Sequence, residues 1–336
     1  MNAVTETVIE SGVYLRACLA PVADYLDRPD VTDIYVNRPG EIWLEHLGGK
    51  VQRHAVPGLD ERTLMRLARQ VAALTHQGIS REHPILSAIL PDGSRVQIVA
   101  PPATRGDLIL AIRKQIASKM TLADYAKGKA FEKTTRGMIA IDRTPTESDA
   151  SGLDEPDIAL ALAKAVRERR NILIAGGTST GKTTFLNALI REIPQTERLI
   201  LIEDTPELCV EHANHVGLIA VRGELGEARV TANDLVTASL RLRPDRIILG
   251  ELRGSEAFAF LRAINSGHPG SMSTIHADSP ESAIEQLVLL VLQAGTALTR
   301  DDIRHYIAQT IHVFVQLGRG PEGRFIERMM TQARPD

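Results

Sequence analysis

The chain has 336 residues, 43% of them hydrophobic and 24% charged, with a formal net charge of −3. The composition is ordinary for a globular protein, and the slight acid excess excludes bulk attraction to nucleic acid or anionic membrane. No run approaches the ~20 apolar residues of a membrane span, and the acids Glu6 and Glu10 argue against a signal peptide. The length suggests two domains of roughly 100–200 residues. Cys18 and Cys209 fit no metal spacing or disulfide framework, so a reducing cytosol is the expected compartment.

In chain order, residues 14–27 read as a helix with Leu15, Leu19, Val22 and Leu26 on one face. Stretches 31–37 and 41–47 alternate like paired strands around the turn Arg38-Pro39-Gly40, and 51–57 reads as a third strand. Asp60 caps an expected helix with apolar positions Leu64, Leu67, Val71 and Leu74. Strands 87–90 and 95–100 flank Pro91-Asp92-Gly93. A further strand, 108–114, sets Leu108, Leu110 and Ile112 on one face and Arg113 on the other. This half, 1–141, is expected to be an α/β domain built on an antiparallel sheet.

Residues 142–156 are rich in Thr, Ser, Asp, Pro and Gly and read as a linker. From 157 to 336 the pattern changes. A helix over 158–169 precedes the short apolar strand 171–175, and further apolar strands fall at 199–202, 246–249 and 272–275. Strands alternating with helices predict a largely parallel sheet. Segments 312–317 and 324–329 read as a closing hairpin around the glycines of 318–323.

Between strand 171–175 and a helix expected over 183–192 lies Gly176-Gly177-Thr178-Ser179-Thr180-Gly181-Lys182-Thr183, followed by Thr184. This is the phosphate-loop pattern in its proper strand-to-helix context. Glycines let successive N–H groups converge on phosphate oxygens, and the helix N-terminus adds its dipole. Lys182 would reach the β- and γ-phosphates, and Thr183 would offer a hydroxyl to Mg²⁺. No guanine-reading Asn-Lys-x-Asp stretch occurs, which favours ATP over GTP. Hydrolysis also needs carboxylates at neighbouring strand ends. Strand 199–202 ends in Glu203-Asp204, strand 246–249 runs into Glu251, and strand 272–275 ends at His276, a candidate γ-phosphate sensor.

With these motifs in place, the chain resembles the hexameric traffic ATPases of bacterial type IV secretion systems, relatives of the type II secretion and type IV pilus ATPases. The resemblance spans nearly the whole chain. Stretch 198–204 is similar to the family's Asp box, 242–253 to its glutamate-ending Walker B, and 266–277 to its His box. The stretches 91–99 and 112–114 match its N-terminal half. The resemblance implies a RecA-like second domain. It implies that Glu251 polarises the attacking water, Glu203 sits near the metal and His276 near the γ-phosphate. It further implies that Arg95 and Arg113 bring positive charge to the nucleotide. Ser179-Thr180 replaces the family's usual Gly-Ser. Two cysteines cannot form the four-cysteine zinc module common in the type II relatives, which favours type IV secretion.

The implied assembly is a homohexameric ring, powered by ATP with Mg²⁺ and partnered by other secretion components at the inner membrane. DNA or protein would be the exported substrate. With no spanning segment, the chain would be peripheral at the cytoplasmic membrane face. A pilus motor, a type II secretion motor, a nucleic-acid translocase and a non-hydrolysing scaffold that uses ATP as structural glue remain the alternatives at this point.

Overall fold

A computed structural model describes residues 14–46, 49–75, 77–114, 120–139, 157–220, 230–320 and 323–332. Within them the chain divides into two compact units, one holding residues 14–114 and the other residues 120–220 and 230–332. The expected linker at 142–156 lies outside the described residues. So do residues 1–13.

The first unit is an antiparallel six-stranded sheet. Its strands are β1 (Val31–Val36), β2 (Glu41–His46), β3 (Val51–Ala55), β4 (Ile85–Ile89), β5 (Arg95–Val99) and β6 (Ile109–Arg113), in spatial order β3-β2-β1-β6-β5-β4. Alternation buries Leu110 and Ile112 and leaves Arg113 exposed, as expected. Helix α1 (Glu61–Leu74) covers the buried face with Leu64, Leu67, Ala68 and Val71. Asp60 caps it, accepting a hydrogen bond from the Thr63 N–H. The expected helix at 14–27 is not continuous. It tightens to a 3-10 turn at Ala20–Val22 before resuming as Ala23–Leu26. Pro21 is the cause, because it lacks the N–H that the turn would need.

The second unit holds an eight-stranded sheet of order β10-β9-β11-β12-β8-β13-β14-β7. The strands are β7 (Thr135–Ile139), β8 (Ile172–Gly176), β9 (Leu199–Glu203), β10 (His215–Ile219), β11 (Arg246–Leu252), β12 (Met272–Ile275), β13 (Val313–Gly320) and β14 (Gly323–Gln332). Every neighbouring pair is parallel except the β13–β14 hairpin. The central strands are apolar along their length because helices cover both faces. Leu173, Ile200 and Leu249 point into one core with α6 (Glu256–Asn265), α7 (Pro280–Gln293) and α8 (Arg300–Thr310). Ile172, Ile174 and Leu201 point into the other, with α2 (Leu122–Lys127), α3 (Ile158–Arg167) and α4 (Lys182–Ile190). Helix α5 (Ala232–Ser239) packs beside β9 and β10. Each such residue, fully buried, contributes about 1.5–3 kcal/mol.

The boundary between units falls earlier than the composition suggests. Segment 120–139 belongs to the second unit, because β7 pairs in parallel with β14 and Thr134 Oγ1 donates to the Ile326 carbonyl at 2.7 Å.

Candidate active site

The glycine loop is held open by its own backbone. Ser179 has φ +61° and Gly181 φ +91°, two left-handed turns that wrap the chain between β8 and α4. A positive φ is natural for Gly181 and costs roughly 1 kcal/mol at a serine. Ser179 therefore carries strain at a place where the resembled family usually has glycine. Thr180 compensates by donating from Oγ1 to the Gly177 carbonyl at 2.9 Å. Gly176 must be glycine, since a Cβ there would meet Thr180 Oγ1 at 2.5 Å. Thr178 at the loop's tip is exposed, while Thr180 is buried.

Helices α3, α7 and α8 each begin with a side-chain cap from Asp157, Ser279 and Thr299. Helix α4 begins at Gly181 with none. Its first N–H groups, from Lys182, Thr183 and Thr184, are thus left for another acceptor, which is what an anion site requires. Lys182 Nζ donates to the Gly176 and Gly177 carbonyls at 2.9 and 3.0 Å. Burial pushes its ammonium below the ordinary lysine value, with Glu251 opposing that shift.

Sheet order gathers the other groups at the same rim. Strand β12 lies between β8 and β11, with Ile275 level with Ala175 on one side and with Leu252 on the other. Glu251 and His276 consequently share one cleft, lined by Glu251, Leu252, Arg253, His276 and Gln286. Arg253 donates to Glu251 Oε2 from Nε at 2.7 Å and also from Nη2, and its Nη1 lies 3.5 Å from Asp204 Oδ2. Burial works against the Arg253 charge, but Glu251, Asp204 and Glu207 outweigh it and hold the guanidinium above its ordinary value.

Glu203, which the resemblance implies sits near the metal, is the last residue of β9. It is buried, packs against Gly250, and its Oε1 accepts from the N–H groups of Glu207 and Leu208, both at 2.7 Å. That fixes the turn after β9 and delivers Glu207 to the loop, where Thr183 Oγ1 donates to Glu207 Oε2 at 3.1 Å. The carboxylate touching Thr183 is therefore Glu207, which strand-end reasoning missed. A second acid four residues past the first, across Pro206, was the available signal. Arg253 was likewise present in the motif without a role.

Arg95 and Arg113 lie in the first unit, directly opposite each other on β5 and β6. Arg113 is also opposite Asp33 on β1, with Nε 3.8 Å from Asp33 Oδ1. The row Arg95–Arg113–Asp33 stands on the face away from the unit's core.

A parallel sheet whose central strand runs into a glycine loop, with acids and a histidine at adjoining strand ends, defines an α/β nucleotide-handling ATPase. The family described as type II/IV secretion system protein matches residues 16–319. A type IV secretion system protein VirB11 from Brucella suis is 41% identical over 322 residues, covering 94% of this chain and 88% of its own. The crystal structure of the VirB11 ATPase from the Brucella suis type IV secretion system, in complex with sulphate, is similar with 38% identity and a TM-score of 0.50. That likeness covers 97% of this chain and 96% of the other. The pilus retraction motor PilT with bound ADP shares the fold at 20% identity, with a TM-score of 0.58 over 95% of this chain and 83% of its own. The chain belongs to the type II/IV secretion system protein family, in its type IV secretion ATPase branch.

Proposed function

We propose that this chain is the ATP-hydrolysing subunit of a type IV secretion motor, with its nucleotide on the loop from Gly176 to Thr183. The observation that carries this reading is the shared rim: β8, β12 and β11 are adjacent and parallel, with a register shift in β11 just before Leu252, so the loop, His276 and Glu251 meet at one edge. Thr184 and the backbone of 177–184 supply N–H donors. Lys182 would exchange its two loop carbonyls for phosphate oxygens, which would favour the charge that burial disfavours.

The donor set beside the loop is a hydroxyl and carboxylates, the chemistry a magnesium ion takes. Thr183 and Glu207 would hold it, with Glu203 fixing the turn that presents Glu207. Bound there, the ion would neutralise charge between phosphates. Glu251 would orient the attacking water, Arg253 would orient Glu251, and His276, which lines the same cleft, would report on the γ-phosphate side. Catalysis of this kind is mostly positioning and charge neutralisation. Arg95 and Arg113 are proposed to add positive charge during turnover, because arginine's planar fork suits phosphate. Six copies would form the working ring. No helix among the described residues is long and apolar enough to cross a membrane, and we place the ring peripherally at the cytoplasmic face of the inner membrane, beside the other secretion components. DNA or protein would be its cargo.

Two variants test the site. Lys182→Ala should lose nucleotide binding and turnover together. Glu251→Gln should keep ATP bound and lose hydrolysis, by about 100-fold or more. Equal loss of ATP binding in both would remove Glu251 from its water-orienting role.

A further inference from the structure

The hairpin β13–β14 brings an arginine to the phosphate loop that no motif pointed to. Strand β13 pairs with β8 through Leu317 and Gly176, the first residue of the loop. Beyond that pair the hairpin continues past the end of β8, with Gly318 opposite Phe325 and Arg319 opposite Arg324. Side chains alternate faces along a strand. Phe325 lies across Gly318, whose Cβ would meet the ring at 2.6 Å, so Arg324 is turned to the other face. There its stem lies against Gly181, where a Cβ would meet Arg324 Cδ at 3.1 Å and Nη1 at 3.4 Å. Tyr125 marks the far side of the same place. It packs edge-on against Phe185 of α4 at 5.2 Å. Burial raises its phenol to about 12 while the Arg324 charge pulls it back.

Arg319 and Arg324 oppose each other directly, and like charges so placed destabilise a hairpin. Among the described residues no carboxylate pairs with either, and both are exposed. An anion on the adjoining loop would relieve both charges. The loop has two sides. Glu251 and His276 lie toward β12 and β11, whereas Arg324 lies toward β13 and β14. On the proposed reading of Glu251, hydrolysis would take place on the first side, and the part of the nucleotide left behind would occupy the second.

We propose that Arg324 is a nucleotide-binding residue of this site, contacting the phosphates that ATP and ADP share rather than the one removed. This rests on the reading of 176–183 as the phosphate loop. Contacts made equally before and during reaction change affinity and leave the chemical step alone. Arg324 would also join loop occupancy to the hairpin, since a filled loop fixes the guanidinium.

The test uses the full-length chain, with ADP titrated by calorimetry and ATP turnover followed by phosphate release. Arg324→Ala should raise the Kd for ADP and the KM for ATP together by about tenfold, with kcat held within about twofold. Arg324→Lys should recover part of that loss, since charge remains while the fork is gone. ADP affinity unchanged in Arg324→Ala, while Lys182→Ala has lost it, overturns the proposal and leaves the loop reading standing. A fall in kcat at constant KM overturns it too, because the contact would then belong to the transition state. Lys182→Ala retaining normal ADP affinity removes the loop reading, and this proposal with it. Should Arg324→Ala lower the melting temperature of the nucleotide-free chain, Arg324→Gln is measured in its place, with the same two results deciding.

Discussion

Strand β11 carries an arginine–glutamate pair at each end, and the two could hardly be more different. At its start, Arg246 is fully buried. It grips Glu197 with Nε and Nη2 at 2.7 and 2.9 Å and donates Nη1 to the Val166 carbonyl at 2.7 Å. Gly270 has no side chain there because a Cβ would meet Arg246 Nη1 at 2.6 Å. At its end, Arg253 is 45% exposed and holds Glu251, 22% exposed. The first pair joins α3, the turn before β9 and the loop before β12, so it must stay made. The second has water as a competitor and can exchange partners at little cost. One end of the sheet is locked so that the other can change.

Breaking the buried pair should have the largest effect. Arg246→Ala leaves the buried Glu197 with the half-exposed Arg169, 3.2 Å away, as its remaining ion-pair partner and without its bidentate hydrogen bonds, at a cost of about 3–5 kcal/mol, read as a lower denaturant midpoint. Replacing both members with apolar residues of similar size should restore much of that. A loss under about 1 kcal/mol from Arg246→Ala would show that the two ends are alike after all. The same pair predicts acid sensitivity. Burial works against the Glu197 charge, but Arg246 outweighs it and leaves the carboxyl below its ordinary 4.5. A depressed carboxyl contributes stability that is complete above the ordinary value and is lost as pH falls through the folded-state value. Acid titration of the native chain should therefore steepen below pH 4.5, and should do so less in the apolar double variant.

Arg113 extends the comparison to the first unit. It is 53% exposed with Asp33 3.8 Å away, an exchangeable pair. Arg113→Ala should leave the melting temperature unchanged and cut turnover at least tenfold, about 1.4 kcal/mol of barrier. Full activity in that variant would remove Arg113 from the nucleotide chemistry. Arg253→Ala should have the smallest effect on stability, under about 1 kcal/mol. It should lower turnover several-fold through a less ordered Glu251, without reaching the loss seen in Glu251→Gln. A stability loss like that of Arg246→Ala would make the rim pair structural.

The glycine loop, Glu251 and His276 were legible because local order carries them: an apolar strand ends and a chemical group follows. The face of Arg113 was legible from alternation alone. What strand-end reasoning could not supply was pairing between distant segments. β7 reads Thr-Arg-Gly-Met-Ile, without alternation, and its partner β14 lies near the other end of the second unit, so nothing local in 120–139 signals that it pairs there. β10 is a short edge strand whose side chains are exposed or half-buried along its length, and such a strand leaves no apolar run to find. Which of Glu203 and Glu207 touches Thr183 depends on where each carboxylate turns, and Glu203 turns to two backbone N–H groups.

The sheet order has a consequence for how the chain is made. β8 is flanked by β12 and β13, and β7 by β14, so each early strand of the second unit waits for a partner synthesised long after it. Parallel pairings across such separations close slowly, and an unpaired apolar strand is prone to aggregate in the meantime. The nucleotide loop hangs from β8, so it has no rigid support until the final hairpin has been added. A nascent chain on the ribosome would thus be unable to consume ATP before its last strands emerge, and deleting Gly323–Gln332 would undo the beginning of the unit as surely as its end.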